Sequence, residues 1–188
     1  MSHDDAIASM QMTEEGKHMP SVLSRCAARA ASASRPWRHT FMLTDVLLRL
    51  ASHPDWQQVA ALLDLCGLSS AGTAEAIENF HVALCDGRIV GCAATEHHGQ
   101  SVLVRSVAVE PAYRDRGIAS RLVEVLLMRA RGTQARHGFL LSASAPAYFA
   151  RWGFSLIPAD KAPAEVRASS EFQHAVRTSA LCMRCELR

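Results

Sequence analysis

Aromatic residues are scarce, at 6% of the 188-residue chain. Single-stranded nucleic acid is held largely by stacking on aromatic rings, so a base-stacking surface is not expected. Charge of one sign is equally lacking: 20 Lys and Arg against 18 Asp and Glu leave a formal +2. A protein that coats nucleic acid needs a dense basic face, so no nucleic-acid partner is expected. Long apolar runs are missing too. Crossing a bilayer takes roughly 18–20 apolar residues, and the best candidates, such as Leu122–Met128, are interrupted by charges. No membrane partner is therefore expected. A secretory pattern is absent from Met1–Pro20, which is polar and carries Asp4, Asp5, Glu14 and Glu15, and this points to a cytoplasmic setting. In that setting the six cysteines read as reduced thiols rather than a disulfide framework.

What is present is enough apolar material for one core: 49% of residues are hydrophobic and 20% charged, a balance that excludes disorder throughout. The chain divides unequally. Residues 1–42 are rich in Ser, Ala, Arg and Met, and are expected to be a poorly structured extension; Arg25–Arg35 reads as a frayed basic helix, or as similar to a transit peptide, which the acidic residues upstream weaken. Met42 stands directly before the patterned region, which raises the expectation that the functional start lies downstream of Met1. Residues 43–188 form the second part, and there the pattern becomes regular.

Val46–Ala51 is a short β-like run, and Asp55 is placed to cap a helix whose inner face is Val59, Leu62, Leu63 and Cys66. A second short helix is expected over Thr73–Asn79. Phe80–Cys85 and Arg88–Glu96 are strands joined by Asp86-Gly87, a two-residue hairpin signal. His97–Gln100 then turns the chain into a third strand, Ser101–Val109. A helix opens at Gly117, with Ile118, Leu122, Val125, Leu126 and the stem of Arg129 on its inner face, and ends at His137-Gly138. Phe139–Ser142 is a buried strand, Ala147–Trp152 a short helix, Phe154–Ile157 a strand, Pro158–Ser169 a polar loop with room for a helical turn and Val176–Leu187 a final strand. This order implies an α+β class: one mixed sheet with helices on its faces.

The most informative stretch runs from Val102 to Leu122. An apolar strand ends in Glu110-Pro111-Ala112-Tyr113-Arg114-Asp115-Arg116 and passes through Gly117 into an amphipathic helix. The first amides of a helix have no intrahelical partners, and the helix dipole puts partial positive charge there. With small residues at 117 and 119 a ligand can approach the backbone, and Arg114 and Arg116 are expected to add positive charge, so the segment suits a pyrophosphate. A surface loop that happens to carry arginines is the competing interpretation.

Arg114-Asp115-Arg116-Gly117-Ile118-Ala119 resembles the Arg/Gln-x-x-Gly-x-Gly/Ala signature of the GCN5-related N-acetyltransferases (the GNAT superfamily). Ser106–Arg114 is similar to the strand and turn that precede that signature, and Ala147–Phe154 to its later Gly-Phe motif. The resemblance extends from about Leu43 to the end. It implies the GNAT-type fold and acetyl-CoA as co-substrate. Val107, Ala108 and Val109 would hold the pantetheine arm, through the backbone of Val107 and Val109. The amides of Arg114, Asp115, Arg116, Gly117, Ile118, Ala119 and Ser120 would hold the pyrophosphate. The Val107 amide would polarise the thioester carbonyl, and a substrate amine would attack directly. Leu140–Pro146, Tyr148-Phe149, Ala162-Pro163, Val166-Arg167, Glu171-Phe172 and Ser179–Met183 resemble the arsenic-resistance branch, related to amino-acid N-acetyltransferases such as N-acetylglutamate synthase. That implies a small amino acid or a toxic amino-acid analogue as acceptor. A peptide or protein amine, or a catalytically silent acetyl-CoA-binding module, are the alternatives. A homodimer is a further expectation of the resemblance.

Proton handling departs from the family pattern. Where many members carry a tyrosine as general acid, this chain has Phe149, and its neighbour Tyr148 should point elsewhere on a helix. Tyr148 nevertheless remains a catalytic candidate. Glu96, His97 and His98 are candidates for the base, against the simpler view that His97-His98 is a solvated turn. Arg105 interrupts an apolar strand: facing inward it would clamp a substrate carboxylate, facing outward it would only solvate the sheet. Cys182-Met183-Arg184-Cys185 has metal-like spacing but no second pair, so it is expected to be structural, and no metal is expected.

Overall fold

The computed structural model describes residues 46–187; the extension expected over 1–42 lies outside the described residues. Seven strands form one sheet: β1 (Val46–Leu50), β2 (Phe80–Cys85), β3 (Arg88–His98), β4 (Ser101–Val109), β5 (His137–Ser142), β6 (Ser155–Leu156) and β7 (Leu181–Glu186). Their order is β1-β2-β3-β4-β5-β7-β6, and every neighbouring pair is antiparallel except β4 with β5. The single parallel contact follows from connectivity. The chain must cross over between β4 and β5, and α2 (Ile118–Arg131) makes that crossing. The sheet is mixed and the class α+β, as the element order implied.

The β2–β3 hairpin turns on Asp86 and Gly87, both at positive φ (51° and 76°), which suits the right-handed twist of the flanking strands. Helix α2 buries Ile118, Leu122, Val123, Leu126, Leu127 and Ala130 against one sheet face, among Val90, Val102, Val104 and Leu140. Gly91 sits beneath it: a Cβ there would lie 2.9 Å from Ile118 Cγ2. A larger residue at 91 would push the start of α2 off the sheet. On the opposite face, α1 (Trp56–Leu65) packs Val59, Leu62 and Leu63 on Phe80, Val82 and Cys92. Beside it, α4 (Ala164–Arg167) and α5 (Ser170–Arg177) place Val166 and Phe172 on Leu103, Phe139 and Cys182.

Several boundaries differ from the sequence reading. His97 and His98 belong to β3, and only Gly99 and Gln100 turn the chain. Helix α2 ends at Arg131, and His137-Gly138 opens β5 instead of closing the helix. Val125 is half-buried and Arg129 exposed, because the buried stripe runs through Val123 and Leu127. Thr73–Ala76 forms turns, with a 3₁₀ turn at Ile77–Asn79. Val176 lies in α5, where Ser169 caps the helix by accepting from the Phe172 amide. A strand could not start there, and β7 begins at Leu181. Asp55 does not cap α1 through its side chain. It turns back to accept from Ser52 N (2.7 Å) and Ser52 Oγ (2.8 Å), and takes both guanidinium nitrogens of Arg49. Among the described residues, no helix is long and apolar enough to cross a membrane.

Candidate active site

Strands β4 and β5 run together only from Ser101↔His137 to Val104↔Leu140. Beyond that point β4 stays with β3, while β5 stays with β7 through Ser142↔Leu181. The two strands splay, and the gap opens the sheet. An irregularity in the β3–β4 ladder marks the same place. Cys92 faces Ala108 while Ala94 faces Arg105, so β4 carries an extra residue, and Ser106 takes a positive φ of 55°. Such a bulge re-aims the residues on either side of it. A cleft of about 770 Å³ results, lined by Arg105 through Val109, Gly117 through Ser120 and Leu140 through Ala145.

One end of the cleft is the start of α2. Gly117 is in the left-handed region (φ 75°), and no side chain caps the helix. The first backbone bond is donated by Arg121 N–H to the Gly117 carbonyl, at 3.1 Å. The amides of Ile118, Ala119 and Ser120 therefore face the cleft mouth ahead of the helical ladder. This is the arrangement expected for a pyrophosphate, built from backbone. The arginine side chains do something else. Arg114 Nε donates to the Val109 carbonyl (3.1 Å), and its Nη2 lies 3.8 Å from Cys66 Sγ. Arg116 Nη2 donates to the Ala112 carbonyl (2.9 Å) and stacks 5.0 Å above the Tyr113 ring. Both hold the loop in shape.

The far wall comes from the segment after β5. Phe149 is buried, edge-on to Phe154. Tyr148 lines the cleft, and its Oη is 3.1 Å from Ser120 Oγ. The expectation that Tyr148 points elsewhere is thus corrected. The short helix α3 (Pro146–Phe149) passes into a 3₁₀ turn at Ala150–Trp152, and this sends position 149 into the core and 148 outward. Arg151 lies 4.4 Å over the Tyr148 ring and also lines the cleft.

On the opposite side of the sheet Arg105 is only 8% exposed. Its Nε is 2.6 Å from Glu96 Oε1, an ion pair without hydrogen-bond alignment. Its Nη1 donates to Ser106 Oγ (3.2 Å) and is 3.6 Å from Glu171 Oε2. The guanidinium also lies 5.4 Å from the centre of the Phe80 ring. Glu96 in turn has His98 Nε2 at 3.5 Å. Alternation along β3 puts Glu96 and His98 on the Arg105 side and sends His97 to the other face, so His97 does not join the cluster. Of Glu96, His98 and Arg105, only Arg105 lines the cleft; Glu171 lines it too. The sequence pattern assigns Glu171 no role, and the signal that places it on a helix is Ser169, which caps α5 two residues before it. Cys182 and Cys185 lie on opposite faces of β7, in different parts of the core. Burial pushes each thiol up to about 11, so the spacing does not build a shared site.

Residues 76–156 match the family model of the acetyltransferase (GNAT) domain. An amino-acid acetyltransferase of Actinobacillus pleuropneumoniae is 32% identical over 99 residues, covering 52% of this chain and 23% of that protein. The Mycobacterium tuberculosis amino-acid acetyltransferase is 39% identical over 97 residues, covering 49% and 55%. The chain therefore spans less than a quarter of the first relative and about half of the second. Among solved structures, N-acetylglutamate synthase from Neisseria gonorrhoeae, complexed with coenzyme A and N-acetyl-glutamate, superposes with a TM-score of 0.65 at 26% identity, covering 76% of this chain and 35% of that one. A Mycobacterium tuberculosis protein in complex with CoA and NLQ gives 0.65 at 28% identity, covering 76% and 99%. The splayed strands, the uncapped helix start and these matches agree: the sheet has the fold of the GNAT acetyltransferases, and residues 76–156 carry the match to their domain.

Proposed function

We propose that this protein transfers the acetyl group of acetyl-CoA to the α-amine of a small amino acid. The observation that carries the reading is the splayed β4–β5 cleft. It has an anion-binding helix start at one end and a buried arginine on the other side of the same sheet. Its volume of about 770 Å³ lies within the range of ligand pockets, and the residues present fit the donor. The amides from Arg114 to Ser120 would hold the pyrophosphate, and the edge of β4 at Val107–Val109 the pantetheine arm.

Acetyl-CoA supplies the thioester. The protein supplies position and charge. The Val107 amide lies on the stretch of β4 that has left β5, and donates to the carbonyl oxygen as negative charge develops there. Arg105 takes the acceptor's carboxylate and so presents its amine to the cleft. Glu96, with His98 behind it, receives the ammonium's proton through water. Tyr148 donates its hydroxyl proton to the departing thiolate, and Ser120 Oγ holds that hydroxyl in place. The activity of the relatives, all named amino-acid acetyltransferases, supports this acceptor class. Toxic amino-acid analogues fit the same description.

The test is free CoA release from acetyl-CoA with a panel of L-amino acids. The reading predicts release that depends on the amino acid. Binding of acetyl-CoA with no release for any amine would leave only a silent binding module.

A further inference from the structure

We propose that Glu171 is the specificity-determining residue of the acceptor side, admitting amino acids with uncharged or basic side chains and turning away those with a side-chain carboxylate. This rests on the acetyltransferase reading above and deepens it. A lone buried arginine at an acceptor site would favour acceptors rich in carboxylates. Arg105 is not alone. Glu96 holds its Nε at 2.6 Å and Glu171 faces its Nη1 at 3.6 Å, so two carboxylates already surround one guanidinium. The cluster has room for one more carboxylate, the acceptor's own, on the guanidinium edge. A second would meet uncompensated negative charge in a partly dry site, where like charges are costly.

Glu171, unlike Glu96, is part of the cleft wall. Its side chain is 29% exposed against 7% for Arg105, so it stands between the buried cation and the space the acceptor's side chain would fill. Ala175, one helical turn further along α5, lines the cleft as well. That face of α5 therefore offers room for a side chain and a single charge to judge it by. Discrimination of this kind works by repulsion of the wrong ligand as much as by attraction of the right one. The position of Glu171 does not depend on its charge. Helix α5 is fixed by Phe172, buried among Leu103, Phe139 and Val166, and by the Ser169 cap. Glu171→Gln accordingly changes charge and keeps shape.

The experiment compares glutamine with glutamate, which differ in side-chain charge at nearly equal size. It uses the full chain and its Glu171→Gln variant. Two readouts are taken: kcat/KM for acetylation, and equilibrium binding of each amino acid to the CoA-saturated protein by calorimetry. In the unmodified protein glutamine is expected to be preferred at least about tenfold. In Glu171→Gln that ratio should fall to about one, through a lower KM and Kd for glutamate, with the KM for acetyl-CoA unmoved. A ratio that survives the substitution overturns the proposal, as does a preference for glutamate in the unmodified protein. A uniform fall in KM for both amino acids would also overturn it, by showing Glu171 to be only a stand-in for the acceptor's carboxylate. Absence of acetyl transfer with the binding ratio intact would instead count against the acetyltransferase reading.

Discussion

The Oη of Tyr148 and the Oγ of Ser120 lie 3.1 Å apart, joining the wall after β5 to the first turn of α2. In the proposed reaction this pair delivers a proton to the thiolate. Tyr148→Phe removes the proton and keeps the ring, which packs edge-on to Phe149 and Trp152. It is expected to lower kcat by about a hundredfold, the usual scale of general-acid catalysis, with little change in either KM. A kcat within twofold of the unmodified protein would remove Tyr148 from the chemistry.

Gly117 tests the cradle. At φ 75° any side chain carries backbone strain of about 1 kcal/mol, so a substitution needs a partner that separates strain from charge. Gly117→Ala measures the strain, and Gly117→Glu adds a carboxylate where the amides converge. We expect Gly117→Glu to weaken acetyl-CoA binding at least about tenfold beyond Gly117→Ala. Equal affinities in the two variants, measured by calorimetry, would refute the assignment.

Asp55, beside the β1 edge of the sheet, is expected to contribute to acid stability. Its hydrogen bonds from Arg49 hold its carboxyl well below the usual carboxylate range, with Ser52 N–H and Oγ–H adding to the effect. Because the folded-state pKa is depressed, the stabilisation is complete above the unfolded value of about 4 and is lost as pH falls through the folded one. Asp55→Asn should cost about 1–2 kcal/mol at pH 7. The gap between the two proteins in urea melts should narrow below about pH 4. A gap that does not change with pH would mean that the contribution is steric.

The thiols separate by place. Burial pushes Cys92 up to about 12, and Cys182 and Cys185 up to about 11, so these three should resist iodoacetamide in the native state. Cys66 is only half-buried, lines the cleft and has Arg114 3.8 Å away. Peptide mapping should find Cys66 labelled ahead of those three, and saturating CoA should slow that labelling severalfold. Labelling of Cys66 indifferent to CoA would place the ligand elsewhere.

Much of this was legible in the sequence where local chemistry decides the outcome. Asp86-Gly87 marks a hairpin, the Gly117 step marks a helix start, and the apolar run Ser101–Val109 marks a strand to the residue. What escaped depends on contacts between distant segments. The bulge at Ser106 turns Arg105 inward, but it arises from pairing with β3 and has no signature of its own. Tyr148 reaches the cleft because α3 lasts a single turn before tightening. Glu171 falls between the loop and the strand that the pattern suggests, at 158–169 and 176–187, whereas the Ser169 cap makes 170–177 a helix. The sequence could name Glu96, His98 and Arg105, but not that they form one cluster.

The central claim is that an amino acid, held by its carboxylate at Arg105, receives the acetyl group. The measurement that tests it most directly is the initial rate of CoA release with the best L-amino acid and with the amine left when its carboxylate is removed, in the unmodified protein and in Arg105→Lys. Lysine keeps the charge but loses the planar fork. The account predicts that the decarboxylated amine is acetylated about a hundredfold less efficiently. It also predicts that Arg105→Lys raises the KM for the amino acid and narrows that difference, while the KM for acetyl-CoA stays as it was. Equal rates with the amino acid and its amine, or a difference untouched by Arg105→Lys, would contradict it.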